Sequence, residues 1–149
     1  MKNLIIFLSL FYSLSSWSAS ITEQAAIDKL NQFFELLDFK VYKKENISQI
    51  LTDDFQIFEM GKPWDMDEFD VFINDASKKT ISTNWTLSDY KVSIDDNSAH
   101  ISYVNNGVFS TTNNETIYSY WLESVYMVVE NNQLKLKFLQ SDLINREIE

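Results

Sequence analysis

Two carboxylates, an amide and an indole near the end of the chain could together form a polar site: Glu123, Asp142, Gln140 and Trp121. They belong to the stretch WLESVYMVVENNQLKLKFLQSD, which alternates apolar and polar residues on both sides of two asparagines. A two-residue loop at that pair predicts a β-hairpin, because asparagine tolerates the positive φ of a type I′ turn. In this register Glu123 lies opposite Gln140 and Trp121 lies opposite Asp142, all on the apolar face.

A carboxylate on an apolar wall loses hydration, and its pKa rises towards the range of a general base. Glu123 is the first candidate for that role and Asp142 the second, with Trp121 as a flat surface for a ligand. The alternative is that the strands leave the core here, and that Glu123 and Gln140 bond to each other in a solvated rim. The residues alone leave both interpretations open.

Other side chains reach the same face by alternation or lie near a bend of the chain. Trp64 and Met60 flank the bend in FEMGKPW, although Trp64 could equally be ordinary core packing. His100 is out of phase with its apolar neighbours, so we expect it to point away from the pocket. The complete predicted pocket consists of Trp64, Met60, Tyr90, Tyr103, Asn105, Trp121, Glu123, Phe138, Gln140 and Asp142.

Helices are predicted in the first half of the chain. A capping box at residues 20–23 precedes an amphipathic helix of about six turns that reaches Val41. A short helical piece follows over residues 47–51, and then a strand over residues 53–60 that places Phe55, Ile57 and Glu59 on one face. Gly61 and Pro63 break that strand. A second capping box at residues 65–68 begins a helix whose buried stripe is Phe69, Phe72, Ile73 and Ala76.

From Ile81 onward the apolar period changes to two, which is typical of strands. Turn residues at 95–98, 111–116 and 131–132 separate four strands, the last of which ends at about Ile144. Helices followed by an antiparallel meander predict one α+β domain.

Composition excludes several kinds of partner. The chain has 149 residues, 15% of them aromatic, and a formal net charge of −10. That charge argues against nucleic acid and against anionic lipid, which both require basic surfaces. Cysteine is absent, so disulfides and lipid attachment through a thiol are excluded. The acidic run DMDEFD lacks the glycine and spacing of a calcium loop, and no His/Cys cluster occurs. We therefore predict neither a metal nor a cofactor.

The first 19 residues resemble a secretory signal peptide. A short basic start, an apolar run over residues 4–14 and a small-residue exit have the expected form. Cleavage is expected between Ser18 and Ser20, leaving residues 20–149 as the mature domain, secreted or periplasmic and without a membrane anchor.

The order of the elements, together with DFQIFEMGKPW, NWTLSDYKVSIDDNSAHISYVNNG and WLESVYMVVENNQLKLKF, resembles the nuclear transport factor 2-like superfamily. More narrowly, the chain resembles small secreted bacterial members of unknown function, allied to the SnoaL-like polyketide cyclases. The resemblance implies a cone in which a strongly curved antiparallel sheet wraps around N-terminal helices and leaves a central pocket. Isomerases, dehydratases, cyclases and binding or assembly modules share such cones, so the fold alone does not name a reaction.

In the small secreted members the position of Gln140 is commonly histidine, which implies a Glu/His pair that could move a proton. Glutamine cannot titrate, so this chain would lack that pair, and whether it is an enzyme stays uncertain with binding favoured. The leading hypothesis is a binder of a small, largely apolar ligand. The alternatives are an isomerase, cyclase or dehydratase that uses Glu123 or Asp142 as base, and a non-catalytic dimer module with a filled pocket.

The opposite face of the last hairpin is rich in aromatic and aliphatic side chains. A continuous face of this kind indicates a protein partner, and a twofold dimer is the default expectation. The predicted interface consists of Tyr118, Tyr120, Leu122, Tyr126, Val128 and Leu139.

Overall fold

The computed structural model describes residues 20–149, so the predicted signal peptide at 1–19 lies outside the described residues. Three helices and six strands occur in this part of the chain. Their bounds are α1 Glu23–Leu36, α2 Lys44–Ser48, β1 Leu51–Glu59, β2 Lys62–Trp64, α3 Met66–Ser77, β3 Thr80–Ile94, β4 Ser98–Thr111, β5 Thr116–Glu130 and β6 Gln133–Ile148. No helix within residues 20–149 is both long and apolar enough to cross a membrane.

Side-chain caps decide where the two longer helices begin. The Asp65 carboxylate accepts hydrogen bonds from the backbone N–H groups of Asp67 and Glu68, both at 2.9 Å. The Asp65 N–H in turn donates to the Glu68 carboxylate at 3.2 Å, so the capping box of α3 is confirmed. The predicted box of α1 is wrong, because Thr22 rather than Ser20 caps that helix.

The first helix is also shorter than the apolar spacing predicted. It ends at Leu36, and the chain turns at Asp38, whose carboxylate accepts a bond from the Lys40 N–H at 2.9 Å. Val41, predicted as the last buried residue of the helix, is 55% exposed. An Asx-type turn therefore competes successfully with continuation of the helix.

One six-stranded sheet has the order β2-β1-β6-β5-β4-β3. Neighbouring strands are antiparallel except β1 and β6, which run parallel, so the sheet is mixed rather than wholly antiparallel. The hairpin between β5 and β6 turns at Asn131 and Asn132, whose φ angles are +52° and +61°, as the sequence predicted.

The core lies between α1 and the inner face of the curved sheet. Leu30 and Phe33 of α1 are buried against the sheet, whose inner residues Ile101, Val125 and Met127 are fully buried. Apolar burial of this kind stabilises the domain by roughly 25 cal/mol per Å². With no disulfide available, this core carries the stability of the fold.

A bulge in β6 changes which side chains face the core. Met127 pairs with Leu136, but Tyr126 pairs with Phe138, so Lys137 is an extra residue in β6. Lys137 forms an ion pair with Asp54 of the neighbouring strand at this point. Because side chains alternate with a period of two, one extra residue moves every later residue to the other face.

Beyond the bulge the predicted pairing is therefore wrong. Leu139, Ser141 and Leu143 lie opposite Val125, Glu123 and Trp121, on the inner face. Three residues predicted for the pocket turn to the outer face instead, namely Phe138, Gln140 and Asp142. Leu139, predicted for the outer interface, is 1% exposed in the core.

Candidate functional site

A cavity of about 270 Å³ lies between the helices and the inner face of the sheet. Its walls are mostly apolar, with aromatic rings that include those of Phe34, Phe39, Phe72, Trp85, Phe109 and Trp121. Met60, Phe72, Leu143 and Arg146 also line it and are exposed, so the cavity opens to solvent on their side. An apolar recess with few polar groups is typical of small-molecule sites.

Three rings from neighbouring strands form one wall of the cavity. Trp85 lies 5.1 Å from Phe109 and 5.9 Å from Trp121, measured between ring centroids, and Phe109 lies 6.2 Å from Trp121. Gly107 lies beneath them, and a Cβ at that position would lie 2.8 Å from the Phe109 ring and 2.9 Å from the Trp121 ring. A residue without a side chain therefore lets the rings approach the backbone of β4.

Glu123 lies at the polar end of the cavity and is 7% exposed. The Ser141 hydroxyl donates to its Oε1 at 2.7 Å, and the Asn105 amide donates to its Oε2 at 3.1 Å. Strand pairing brings these groups together, since Glu123 of β5 pairs with Ser141 of β6, and Asn105 pairs with Trp121, two residues before Glu123.

Burial raises the pKa of Glu123 to about 7, and the nearby charge of Glu59 acts in the same direction. The hydrogen bond from Ser141, the adjacent Tyr103 hydroxyl and the hydrogen bond from Asn105 oppose this rise because they favour the carboxylate. A carboxyl group with a pKa near 7 exists in both protonation states at neutral pH and can therefore exchange a proton with a neighbour.

Tyr103 lies directly across from Glu123 on β4 and is 3% exposed. Burial, and next the charge of Glu123, raise the pKa of its phenol well above the ordinary value. Within residues 20–149 the Tyr103 hydroxyl has no hydrogen-bond partner of good geometry, and neither does Asn105 Oδ1. Both are polar atoms held out of contact with water.

Glu59 is the second carboxyl group of the cavity. Burial raises its pKa, and the charge of Asp142 acts in the same direction. The neighbouring Ser141 hydroxyl and the charge of Arg146 lower the pKa of Glu59. Arg146 is exposed at the mouth, and its Nε donates to the Ser119 hydroxyl at 3.0 Å. The charged lining thus consists of two carboxyl groups and one guanidinium.

Four predicted pocket residues line the cavity, namely Met60, Asn105, Trp121 and Glu123. Trp64 is buried but packs edge-on against Phe72 at 4.9 Å, outside the cavity.

Tyr90 and Tyr103 lie on the inner face without lining the cavity. The Tyr90 hydroxyl donates to Asn31 of α1 at 3.3 Å, and its ring lies 6.5 Å from that of Tyr103. The Tyr103 ring packs edge-on against that of Phe34 of α1, with 6.1 Å between the ring centroids.

The other three predicted pocket residues lie on the outer face of the sheet, because of the Lys137 bulge. Gln140 donates to Asp142 Oδ1 at 3.0 Å, and Phe138 packs edge-on against Phe58 at 5.0 Å. Since Gln140 does not reach the cavity, its failure to titrate has no bearing on chemistry there. His100 is exposed, as its phase predicted.

Sequence reasoning missed Ser141, Glu59 and Arg146 as site residues. The adjacent apolar pair Phe138 and Leu139 is the signal that could have revealed the bulge and hence Ser141. The phase of β1 places Glu59 on the inner face, but Glu59 is not among the predicted pocket residues. Arg146 reaches the inner face only after a second register shift near Trp121.

A groove on another side of the domain is acidic, with Asp53, Asp54, Asp65 and Asp67 along it. Lys137 and Lys44 form ion pairs with Asp54 and Asp67, so part of this charge is already compensated. Across residues 20–149 no group of three His, Cys, Asp or Glu side chains is arranged to hold a metal ion.

Solved structures of other proteins share this fold. The hexachlorocyclohexane dehydrochlorinase LinA-type3 from Novosphingobium barchaimii matches with a TM-score of 0.68 at 8% identity, over 85% of this chain and 91% of its own. A candidate scytalone dehydratase from Novosphingobium aromaticivorans matches with a TM-score of 0.68 at 13% identity, over 83% of this chain and 85% of its own. The association domain of CaMKII from C. elegans matches with a TM-score of 0.65 at 16% identity, over 80% of this chain and 93% of its own.

These similarities establish a nuclear transport factor 2-like cone fold for residues 20–149, as the sequence resemblance implied. No protein-family model and no curated protein sequence matches the chain. A dehydrochlorinase and an association domain share this fold, so the fold alone does not name the activity.

Proposed function

We propose that this protein binds a small, largely apolar molecule in the aromatic cavity and holds its polar end at Glu123. The single observation that carries the proposal is a partly open space of about 270 Å³ that ends in a buried, hydrogen-bonded carboxyl group. Burying a carboxyl group costs free energy, and a core without a ligand would be better served by an apolar residue there.

The size of the cavity limits the ligand. An engineered cavity of about 150 Å³ holds benzene, so about 270 Å³ suits one aromatic ring with a short side chain. We therefore use 2-phenylethanol and 2-phenylethylamine as probes, because both have that size and a terminal polar group.

Titration calorimetry with these probes tests the proposal. Ala76 lines the cavity, and Ala76→Leu should fill part of it and weaken binding at least tenfold. Ala25→Leu adds the same side chain at an exposed position of α1 and should bind as the wild type does. Saturable binding that is lost only in Ala76→Leu supports the proposal, whereas no binding, or equal binding by both variants, overturns it.

A second candidate function is proton transfer to the bound molecule, as in an isomerase, cyclase or dehydratase. The pKa of about 7 for Glu123 favours it, because a general base works best with a pKa near the working pH. Glu123→Gln keeps the shape and removes the proton acceptor, so it should abolish turnover of a compound that the wild type converts. Asp142, the other predicted base, lies on the outer face, and Asp142→Asn should leave turnover unchanged.

A domain whose own side chains fill the pocket was the third hypothesis. The cavity lies beside Trp121 and Glu123 together with the aromatic rings, which argues against complete filling. We therefore favour the two ligand-based functions.

Association of two copies through the outer sheet face accompanies the proposed function. Tyr118, Leu122 and Tyr126 are between 38% and 46% exposed on β5, and Phe138 takes the place predicted for Leu139 beside them. Leu122→Lys should shift sedimentation of the protein towards the monomer. A wild type that sediments as a monomer at high concentration would contradict this interface.

Export remains part of the proposal. Cleavage of the first 19 residues should place the domain in the periplasm or outside the cell, and mass spectrometry of protein from its own host would give the mature N-terminus. A mature chain that retains residues 1–19 would contradict export by cleavage.

A further inference from the structure

The polar end of the cavity is rich in hydrogen-bond acceptors. Glu123 and Glu59 contribute carboxyl oxygens, and Asn105 contributes Oδ1. Asn105 is 1% exposed, and its amide N–H is used by Glu123, which fixes the amide orientation. Within residues 20–149 no donor reaches Asn105 Oδ1, so the site holds a buried acceptor without a partner. Such an atom is costly unless a ligand supplies the missing donor.

The aromatic wall suits the same type of ligand. Trp121 precedes Glu123 by two residues on the same face of β5, so its indole and the carboxyl group line the same side of the cavity. The faces of Trp and Phe rings attract cations, most strongly where water is excluded.

We infer that the cavity selects small aromatic or aliphatic amines, whose ammonium group donates to Glu123 and Asn105 Oδ1 while the apolar body lies among the rings. This inference rests on the proposed function and adds the chemical class of the ligand. An ammonium offers three donors and a positive charge, which match the unpaired acceptor and the two carboxyl groups.

Two groups favour the opposite charge on the ligand. Arg146 lines the mouth as a cation, and the Trp85 indole N–H is a buried donor without a partner among residues 20–149. Arg146 is exposed, so water screens it, whereas Glu123 is buried and its field acts over a shorter, drier path. The balance of charge around Glu123 therefore favours a cation.

Three probes of one size separate the possibilities at pH 8: 2-phenylethylamine as the cation, 2-phenylethanol as the neutral form and phenylacetate as the anion. A charge-assisted hydrogen bond is worth roughly tenfold to a hundredfold in affinity, so the amine should bind at least tenfold more tightly than the alcohol. Glu123→Gln should remove most of that preference while the affinity for the alcohol changes less than threefold.

Matched variants control for folding and for overall charge. Asp142→Asn removes the same charge from an exposed site on the outer face and should leave the amine preference intact. Glu59→Gln gives a second removal within the cavity, should Glu123→Gln not fold as judged by its circular dichroism. Equal affinity for amine and alcohol, or tightest binding of phenylacetate, overturns the inference but keeps the proposed function. No binding of any probe overturns both.

Discussion

The Ser141 hydroxyl donates a hydrogen bond to Glu123 Oε1 across the β5–β6 pair at 2.7 Å, and this contact exists only because Lys137 is an extra residue in β6. Without that bulge Gln140 would face Glu123 and Leu139 would leave the core. A single inserted residue thus determines both the composition of the cavity and the register of the strand that closes it.

The register can be tested by a pair of adjacent substitutions. Leu139→Ala removes a side chain that is 1% exposed and should lower the free energy of unfolding by about 2 to 5 kcal/mol. Phe138→Ala truncates a half-buried residue on the outer face. It should lower the free energy of unfolding clearly less than Leu139→Ala does, although the side chain removed is larger. Urea unfolding of both variants checks this, and the reverse order would restore the strict alternation that the sequence suggested.

The pKa of Glu123 predicts how stability depends on pH. A glutamate has a pKa of about 4.3 in the unfolded chain, and burial raises it to about 7 in the fold. The folded state therefore holds the proton more tightly, so the stabilising contribution is complete below about pH 4 and is lost as pH rises towards 7.

This loss amounts to something on the order of 3 kcal/mol for Glu123. Between pH 5 and pH 8 the free energy of unfolding should therefore fall less in Glu123→Gln than in the wild type. The pH dependence that remains in the variant would reflect Glu59, whose pKa is also raised by burial. Urea titrations at both pH values measure this. A wild type and variant with the same pH dependence would contradict the raised pKa.

Gly107 should not tolerate even a methyl group. In Gly107→Ala the new Cβ would lie 2.8 Å from the Phe109 ring and 2.9 Å from the Trp121 ring, so both rings would have to move. We expect a loss of about 1 to 3 kcal/mol and weaker probe binding, because these rings form the cavity wall. Asn106→Ala changes the adjacent exposed position and serves as the control in the same unfolding and binding measurements. A stable Gly107→Ala with unchanged affinity would contradict the close packing of this wall.

The beginning of α1 gives a local test. Thr22 accepts a hydrogen bond from the Ala25 N–H at 3.1 Å, so Thr22→Ala should cost about 1 kcal/mol in the free energy of unfolding. Ser20→Ala should change it by less than about 0.5 kcal/mol, because Ser20 is exposed and lies outside the helix. A larger loss in the free energy of unfolding for Ser20→Ala than for Thr22→Ala would indicate that Ser20 caps the helix, as the sequence predicts.

Most of the fold could be predicted because its signals are local. The α3 capping box, the turn at Asn131 and Asn132, and the alternation of β4 and β5 each lie within a few residues of sequence. The bulge at Lys137 could not be predicted with the same ease, because it depends on two neighbouring strands, one of which supplies Asp54.

The candidate site divides along the same line. Glu123, Asn105 and Trp121 lie on strands whose alternation is regular, and the sequence placed them correctly on the inner face. Ser141 and Arg146 lie beyond one and two register shifts in β6, where alternation counted from the hairpin turn no longer holds. The cavity volume depends on how side chains pack, which no period in the sequence reports.

Intermolecular nuclear Overhauser effects from bound 2-phenylethylamine test the central claim most directly. We expect contacts from the phenyl ring to the Trp121 and Phe109 rings, and from the methylene next to the amine to the Glu123 side chain. No intermolecular contact at saturating probe, or contacts only with Tyr126 and Phe138 on the outer face, would contradict a ligand site inside the cone.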